Sequence, residues 1–153
     1  DSRPGWDVHA MDISEAALKV AQSNAKKMKV RVEFHLLDMT SPSLIDVFNT
    51  ASFDCIVSNP PYIPVSDKRN LDSRVKDFEP DLALFAPDDD PLRYYRHISF
   101  FALHALKPNG FLFLEVHENY AEATAELLEA DLWSGVIVRE DIFGKPRMIR
   151  ATR

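Results

Sequence analysis

The spacing of apolar residues changes period repeatedly along this chain, and each change marks an element. Residues 6–12 (WDVHAMD) read as a short strand ending in a carboxylate. Ser14 then stands where a helix N-cap belongs, with Glu15 favourable in the first turn. Ala17, Leu18, Ala21, Ala25 and Met28 follow at helical spacing. Residues 31–38 (RVEFHLLD) form a second expected strand, again closed by an acid, Asp38, and Pro42 suits the first turn of a short helix through Phe48. Residues 52–58 (SFDCIVS) make a nearly continuous apolar third strand, the pattern of a parallel strand covered on both faces.

A strong helix is predicted over residues 92–107 (LRYYRHISFFALHALK), closed by a turn at KPNG. FLFLEV at 111–116 is a fourth strand, and 118–130 (ENYAEATAELLEA) is another helix. WSGVIVRED and PRMIRATR predict a terminal hairpin turning through IFGK. Strands alternating with helices argue for a doubly wound α/β sheet that ends in an antiparallel pair. Residues 60–91 break this rhythm with a long polar stretch rich in Pro and Asp, and connections of that length usually carry function.

Composition narrows the classes. The 153 residues suffice for one domain with a real core, and 46% hydrophobic with 27% charged residues is ordinary for a soluble protein. No apolar run approaches the ~18 residues of a membrane span, and no charged-then-apolar leader opens the chain. One cysteine makes no internal disulfide, so a reducing cytoplasm is the expected setting. The net charge is −6, and the basic residues are dispersed apart from KKMKVR and the C-terminal KPRMIRATR. A chain without a basic stripe is poorly built to grip a phosphate backbone, so no direct nucleic-acid contact is expected.

Only four glycines occur, at 5, 110, 135 and 144. None belongs to a strand, glycine-rich turn and helix unit, the usual cradle for a nucleotide-like ligand in this architecture. The opening DSRPGW reads as the tail of a preceding helix, which places the first strand, the glycine loop and the first helix outside this chain.

Ligands in open α/β sheets collect beyond the carboxyl ends of the strands. Asp12, Asp38 and Asn59 stand at three such ends. A carboxylate accepts hydrogen bonds, which suits the two hydroxyls of a ribose; a second can accept from the exocyclic amine of an adenine. Each of these residues taken alone fits an N-cap or solvated-loop role better, but together, at consecutive strand ends, they favour an adenosine-containing cofactor.

The stretch IVSNPPYIP (56–64) is the most specific feature. A residue before proline is driven to extended backbone, and each proline holds φ near about −65° without an N–H. Asn-Pro-Pro is therefore a stiff segment rich in acceptors: the Asn59 side-chain oxygen and a neighbouring carbonyl. Two acceptors suit a planar –NH2, which has two hydrogens to donate, and Tyr62 adds an aromatic surface to pack against it.

NPPY after a buried strand of such a sheet resembles the S-adenosylmethionine-dependent amino-methyltransferases. The likeness continues through SNPPYIP, Asp67, Leu71, Val75, Phe78-Glu79-Pro80, Ala83, Leu84, Tyr95 and Arg96, and on to FGKPR. With these residues the chain resembles the HemK/PrmC family, whose members methylate the glutamine side-chain nitrogen in the GGQ motif of peptide-chain release factors. The resemblance implies a Rossmann-like class I methyltransferase sheet with a C-terminal antiparallel hairpin, lacking its first strand and glycine-rich loop here. Residues 1–153 would then be part of a catalytic domain that uses S-adenosylmethionine and yields S-adenosylhomocysteine.

Carried over residue by residue, the resemblance assigns Asp12 to the cofactor ribose and Asp38 to the adenine amine, with Ile13 and Met39 as apolar neighbours. Asn59 borders both the cofactor and the substrate amide. Asn59 and the Pro60 carbonyl receive that amide, Pro61 stiffens the segment, and Tyr62 packs against it. The family's N-terminal helical domain is absent, PDDDPLRYYR lacks the glycine usual before its leucine, and EVH replaces the commoner glycine-containing sequence. The nearest rival is methyl transfer to an exocyclic amine of a nucleic-acid base, adenine N6 or guanine N2. A catalytically incomplete chain is the other.

His9, His35, His97, His104 and His117 are spaced for no metal site, and none is nominated as a base. Cys55 reads as a small core hydrophobe, and the aromatics of YYRHISFF as core. Glu115, at the end of the fourth strand, is a candidate for a structural hydrogen bond to the NPPY loop.

Overall fold

The computed structural model describes residues 5–70 and 80–153, which divide into two compact units, Asp1–Leu44 and Ile45–Arg153. The resemblance residues Leu71, Val75, Phe78 and Glu79, and the opening DSRP, lie outside the described residues.

In the first unit, β1 (His9–Asp12) and β2 (Glu33–Leu36) pair in parallel, with His9 opposite Glu33 and Asp12 opposite Leu36. Between them runs α1 (Glu15–Met28). Ser14 caps it as expected, accepting from the Ala17 N–H at 3.2 Å. The helix closes at Lys29, whose left-handed backbone (φ 54°) lets its N–H reach Ala25 and Lys26 carbonyls. Of the apolar positions at helical spacing only Leu18 is buried, and Met28 at the last turn stays 69% exposed. The short helix expected from Pro42 through Phe48 is reduced to α2 (Leu44–Val47), which begins at the last residue of this unit.

The second unit is built on a four-stranded sheet, in the order β3 (Phe53–Ser58), β6 (Leu106–Glu115), β8 (Pro146–Thr152) and β7 (Ser134–Glu140). β3 and β6 are parallel; β8 runs antiparallel to both β6 and β7, forming the expected hairpin. The long segment after β3 carries β4 (Ile63–Pro64), α3 (Asp81–Leu84) and β5 (Phe85–Ala86), with β4 and β5 paired in parallel. Ser66 adds a second tie, its N–H and hydroxyl both donating to Asp88 at 3.0 Å.

The expected KPNG turn falls within the span of β6, where the β3 register jumps from Phe53–Leu106 to Cys55–Phe111. Asn109 takes a left-handed φ of 65° there. Gly110 is required by close approach: a Cβ would sit 2.9 Å from the Lys107 carbonyl oxygen and 3.2 Å from that of Asp54.

Helices α4 (Arg93–Ala105) and α5 (Ala121–Ala130) cover one face of this sheet. Tyr95, Ile98, Ser99, Ala102 and Ala105 line the buried stripe of α4 at helical spacing, while Phe100 points to solvent at 62% exposure. They pack with Leu112, Leu114, Leu128 and Ile149 into the core. Within this unit the opposite face is open, which corrects two expectations. Cys55 is exposed rather than core, and Val57 is 75% exposed. The reason is alternation: Cys55 pairs with Phe111 and Val57 with Phe113, all on the face that α4 and α5 do not reach.

One buried polar chain anchors α4 to the segment after α5. The Trp133 indole N–H donates to Ser99 Oγ at 2.9 Å, and the Ser99 hydroxyl donates to Asp131 at 2.7 Å. Ser99→Ala removes both bonds and leaves the buried indole donor unpaired, so it is expected to cost about 1–3 kcal/mol in equilibrium urea denaturation.

Candidate active site

The residues singled out by sequence fall at carboxyl ends of parallel strands, and each unit holds its own group. In the first unit, Asp12 closes β1 and Asp38 lies two residues beyond β2, so both carboxylates stand at the same end of the pair. The Leu37 N–H bonds the Asp12 carbonyl at 3.1 Å, carrying the ladder to that end. Asp12 Oδ1 accepts the Ser14 N–H at 2.7 Å. Asp38 Oδ1 accepts the Thr40 N–H and hydroxyl, both at 2.8 Å. Both acids are exposed, and their Oδ2 atoms make no hydrogen bond among the described residues. One oxygen of each thus shapes a local turn and the other is free to accept. Ile13 is exposed beside Asp12, and Met39 is half-buried beside Asp38.

In the second unit, Ser58 makes the last rung with Leu114, and the chain then leaves the sheet through Asn59, Pro60 and Pro61. Asn59 is exposed, and its side-chain amide has no intramolecular partner among the described residues. Pro60 is buried, while Pro61 and Tyr62 are half-buried. The Tyr62 hydroxyl donates to Glu115 Oε1 at 2.9 Å, the structural bond expected of Glu115. From α4, the Tyr95 hydroxyl donates to the Glu115 carbonyl at 3.4 Å. The loop is therefore fixed at its third residue after Asn59, with the amide itself left open.

Two further neighbours join this site that the chain's local pattern does not announce. His117 sets its ring edge-on to Tyr62, with centroids 5.9 Å apart. Arg147, on β8, exchanges bonds with Val116: its carbonyl accepts the Val116 N–H at 2.9 Å, and its guanidinium donates to the Val116 carbonyl at 3.4 Å. For His117 the one usable signal is spacing. Glu115 and His117 sit two apart at the end of an extended run, a period that directs side chains to one side. No such signal exists for Arg147, which arrives through strand pairing alone.

Electrostatics follows from this packing. Burial pushes the Tyr62 phenol above its ordinary value, the bond to Glu115 adds to the rise, and Arg147 opposes it. Burial likewise raises Tyr95. Burial lowers His117 below its ordinary value, against a smaller opposing effect of Glu118. Its Nδ1 accepts the Asn119 N–H at 3.1 Å. The cluster thus sets the Tyr62 phenol, the edge-on His117 ring and the engaged Glu115 carboxylate together behind the loop.

Comparison with known proteins gives a consistent picture. The Methyltransferase domain family matches residues 2–140. A release factor glutamine methyltransferase from Bacteroides thetaiotaomicron is 40% identical, over 98% of this chain and 53% of its own length. The corresponding protein from Flavobacterium psychrophilum is 36% identical, over 96% of this chain and 50% of its own. The chain spans about half the length of the curated relatives it matches. Among solved structures, a SAM-dependent O-methyltransferase from Thermotoga maritima superposes with a TM-score of 0.62 at 18% identity, covering 96% of this chain and 49% of its own. At that identity the match speaks for the α/β fold alone.

The raised Tyr62 value has a measurable consequence. A phenol whose folded value exceeds its unfolded value of about 10 contributes stability that is complete below that pH and lost as pH climbs through the folded value. Tyr62→Phe is expected to cost about 1 kcal/mol near pH 7. The gap from the parent should narrow in denaturation series carried above about pH 10.

Proposed function

Because this chain belongs to the Methyltransferase domain family and aligns with release factor glutamine methyltransferases along nearly its whole length, we propose that it supplies the substrate-handling part of such an enzyme. The whole protein transfers a methyl group from S-adenosylmethionine to the side-chain amide nitrogen of the glutamine in the GGQ motif of peptide-chain release factors. Release factors are its partners in this reading, and the cytoplasm, where translation terminates, is its setting. No described helix is long and apolar enough to cross a membrane.

The observation that carries the proposal is an exposed Asn59 amide, unpartnered among the described residues, on a proline-stiffened segment that Tyr62 and Glu115 hold at the end of β3. A carboxamide nitrogen is a weak nucleophile, because its lone pair is delocalised into the carbonyl. The Asn59 side-chain oxygen and the Pro60 carbonyl accept its two hydrogens, which raises electron density at nitrogen and fixes its direction. Tyr62 packs against the planar amide. Orientation and electrostatics carry this role, with no side chain required to take the proton first. The Glu115 carboxylate, engaged by the Tyr62 hydroxyl, accords with that division of labour.

The first unit has a donor set that fits the cofactor. Two exposed carboxylates at one end of a parallel pair, each with a free oxygen among the described residues, match hydroxyl and amine donors. Asp12 would hold the ribose and Asp38 the adenine amine, with Ile13 and Met39 against the adenosine. S-adenosylmethionine, when bound, supplies an electrophilic methyl group.

The test uses the full-length enzyme and labelled S-adenosylmethionine, offered a release factor, DNA or RNA in parallel. Label is expected on the release factor, and label on nucleic acid alone would overturn the substrate. Asn59→Ala should lower methyl transfer by about 100-fold or more while cofactor affinity, read by calorimetry, stays near that of the parent. Undiminished transfer by that variant would remove Asn59 from the acceptor role.

A further inference from the structure

The amino-terminal ends of β1 and β2 gather a second set of polar side chains, remote from the acids at their carboxyl ends. His9 lies opposite Glu33, and His35 is two residues beyond Glu33, so all three project from one face of the parallel pair. His9 Nδ1 is 3.0 Å from His35 Nε2. The Glu33 carboxylate completes a triangle, with Oε2 at 3.9 Å from His9 Nδ1 and Oε1 at 3.6 Å from His35 Nε2. One ligand atom from each residue lies within 4.8 Å of the others.

We propose that His9, Glu33 and His35 form a zinc-class divalent metal site. Tetrahedral coordination at about 2.0–2.1 Å places ligand atoms roughly 3.3 Å from one another. The two ring nitrogens stand slightly inside that separation and the carboxylate oxygens slightly outside it. Displacements of a few tenths of an ångström, within reach of exposed Glu33, close the shell. Two imidazoles with one carboxylate select Zn2+ and its relatives over Mg2+ and Ca2+, which take oxygen ligands. A fourth position remains for water.

A second observation points the same way. On the far side of the His9 ring, Nε2 lies 3.4 Å from Asp7 Oδ2. A carboxylate at that distance is placed to accept a proton from Nε2 when Nδ1, the atom facing His35, takes an ion. Both imidazoles are about four-fifths shielded, at 20% and 17% exposure, while Glu33 and Asp7 stand in solvent at 63% and 87%. An ion thus has an entry route and a sheltered seat. Bound there, it would cross-link two short strands that have no other ladder partner among the described residues. The His9 and His35 positions are 26 residues apart, and only the parallel register brings them together.

Calorimetry of the chain with Zn2+ in a non-chelating buffer tests this, alongside Co2+ followed by visible absorption. One ion per chain is expected, with intense tetrahedral Co2+ bands and a rise in Tm of about 5 °C at saturating Zn2+. His9→Gln and His35→Gln should each weaken binding by about 100-fold, and the outer-shell change Asp7→Asn by about 10-fold. Cys55→Ser, which removes the exposed thiol, should bind as the parent does. If a histidine variant fails to fold, Glu33→Gln and Asp7→Asn, both at exposed positions, decide the question through the same titration. Absence of Zn2+ and Co2+ binding overturns the proposal, as does undiminished affinity in the folded variants.

Discussion

Two adjacent prolines constrain everything around the candidate site. Pro60 and Pro61 hold φ near about −65° and bring no N–H, so β3 cannot extend its ladder with β6 past Ser58. The chain is obliged to leave the sheet there, beside the end of β6. Glu115 stands at that end and takes the Tyr62 hydroxyl, which turns a steric obligation into a fixed geometry. Asn59 is the residue between the last rung and the first proline. Its side chain is exposed there.

The sheet behind this loop is asymmetric. Alternate residues of β6 serve different surroundings: Leu112 and Leu114 are buried under α4 and α5, whereas Phe111 and Phe113 are 40% and 38% exposed on the other face. The hairpin partner β8 extends the same division, with Ile149 and Ala151 fully inside. The covered face gives rigidity to the carboxyl end of β3. It also brings Arg147 to the backbone of Val116, next to the residues that hold Tyr62.

The pair β1 and β2 uses its register twice. One register sets His9 against Glu33 at the start of the strands and Asp12 against Leu36 at their finish. Polar groups at the two ends are therefore separated along the strand, by about 10 Å for three residues. The ladder of the pair joins the imidazole end to the acids. The Asp12 and Asp38 turns are short and locally bonded, so their geometry depends on that ladder staying in place.

Much of this protein is legible in its amino-acid sequence. Local rules suffice for α1 and its Ser14 cap, for the buried stripe of α4, for the terminal hairpin and for the stiff NPPY segment. Each rests on interactions within a few residues, or on a period that one strand or helix displays alone. Glu115 is reachable too, because a carboxylate ending a strand beside NPPY has few other tasks. What sequence does not supply is coverage and convergence. Cys55 and Val57 look like core by composition, yet exposure depends on whether a helix lies over that face, and α4 and α5 lie over the other. His117 beside Tyr62, Arg147 beside Val116, and His9 beside His35 are products of strand register across long separations. Residue type and local spacing determined which groups could do chemistry; hydrogen-bonded pairing of distant strands decided which of them meet.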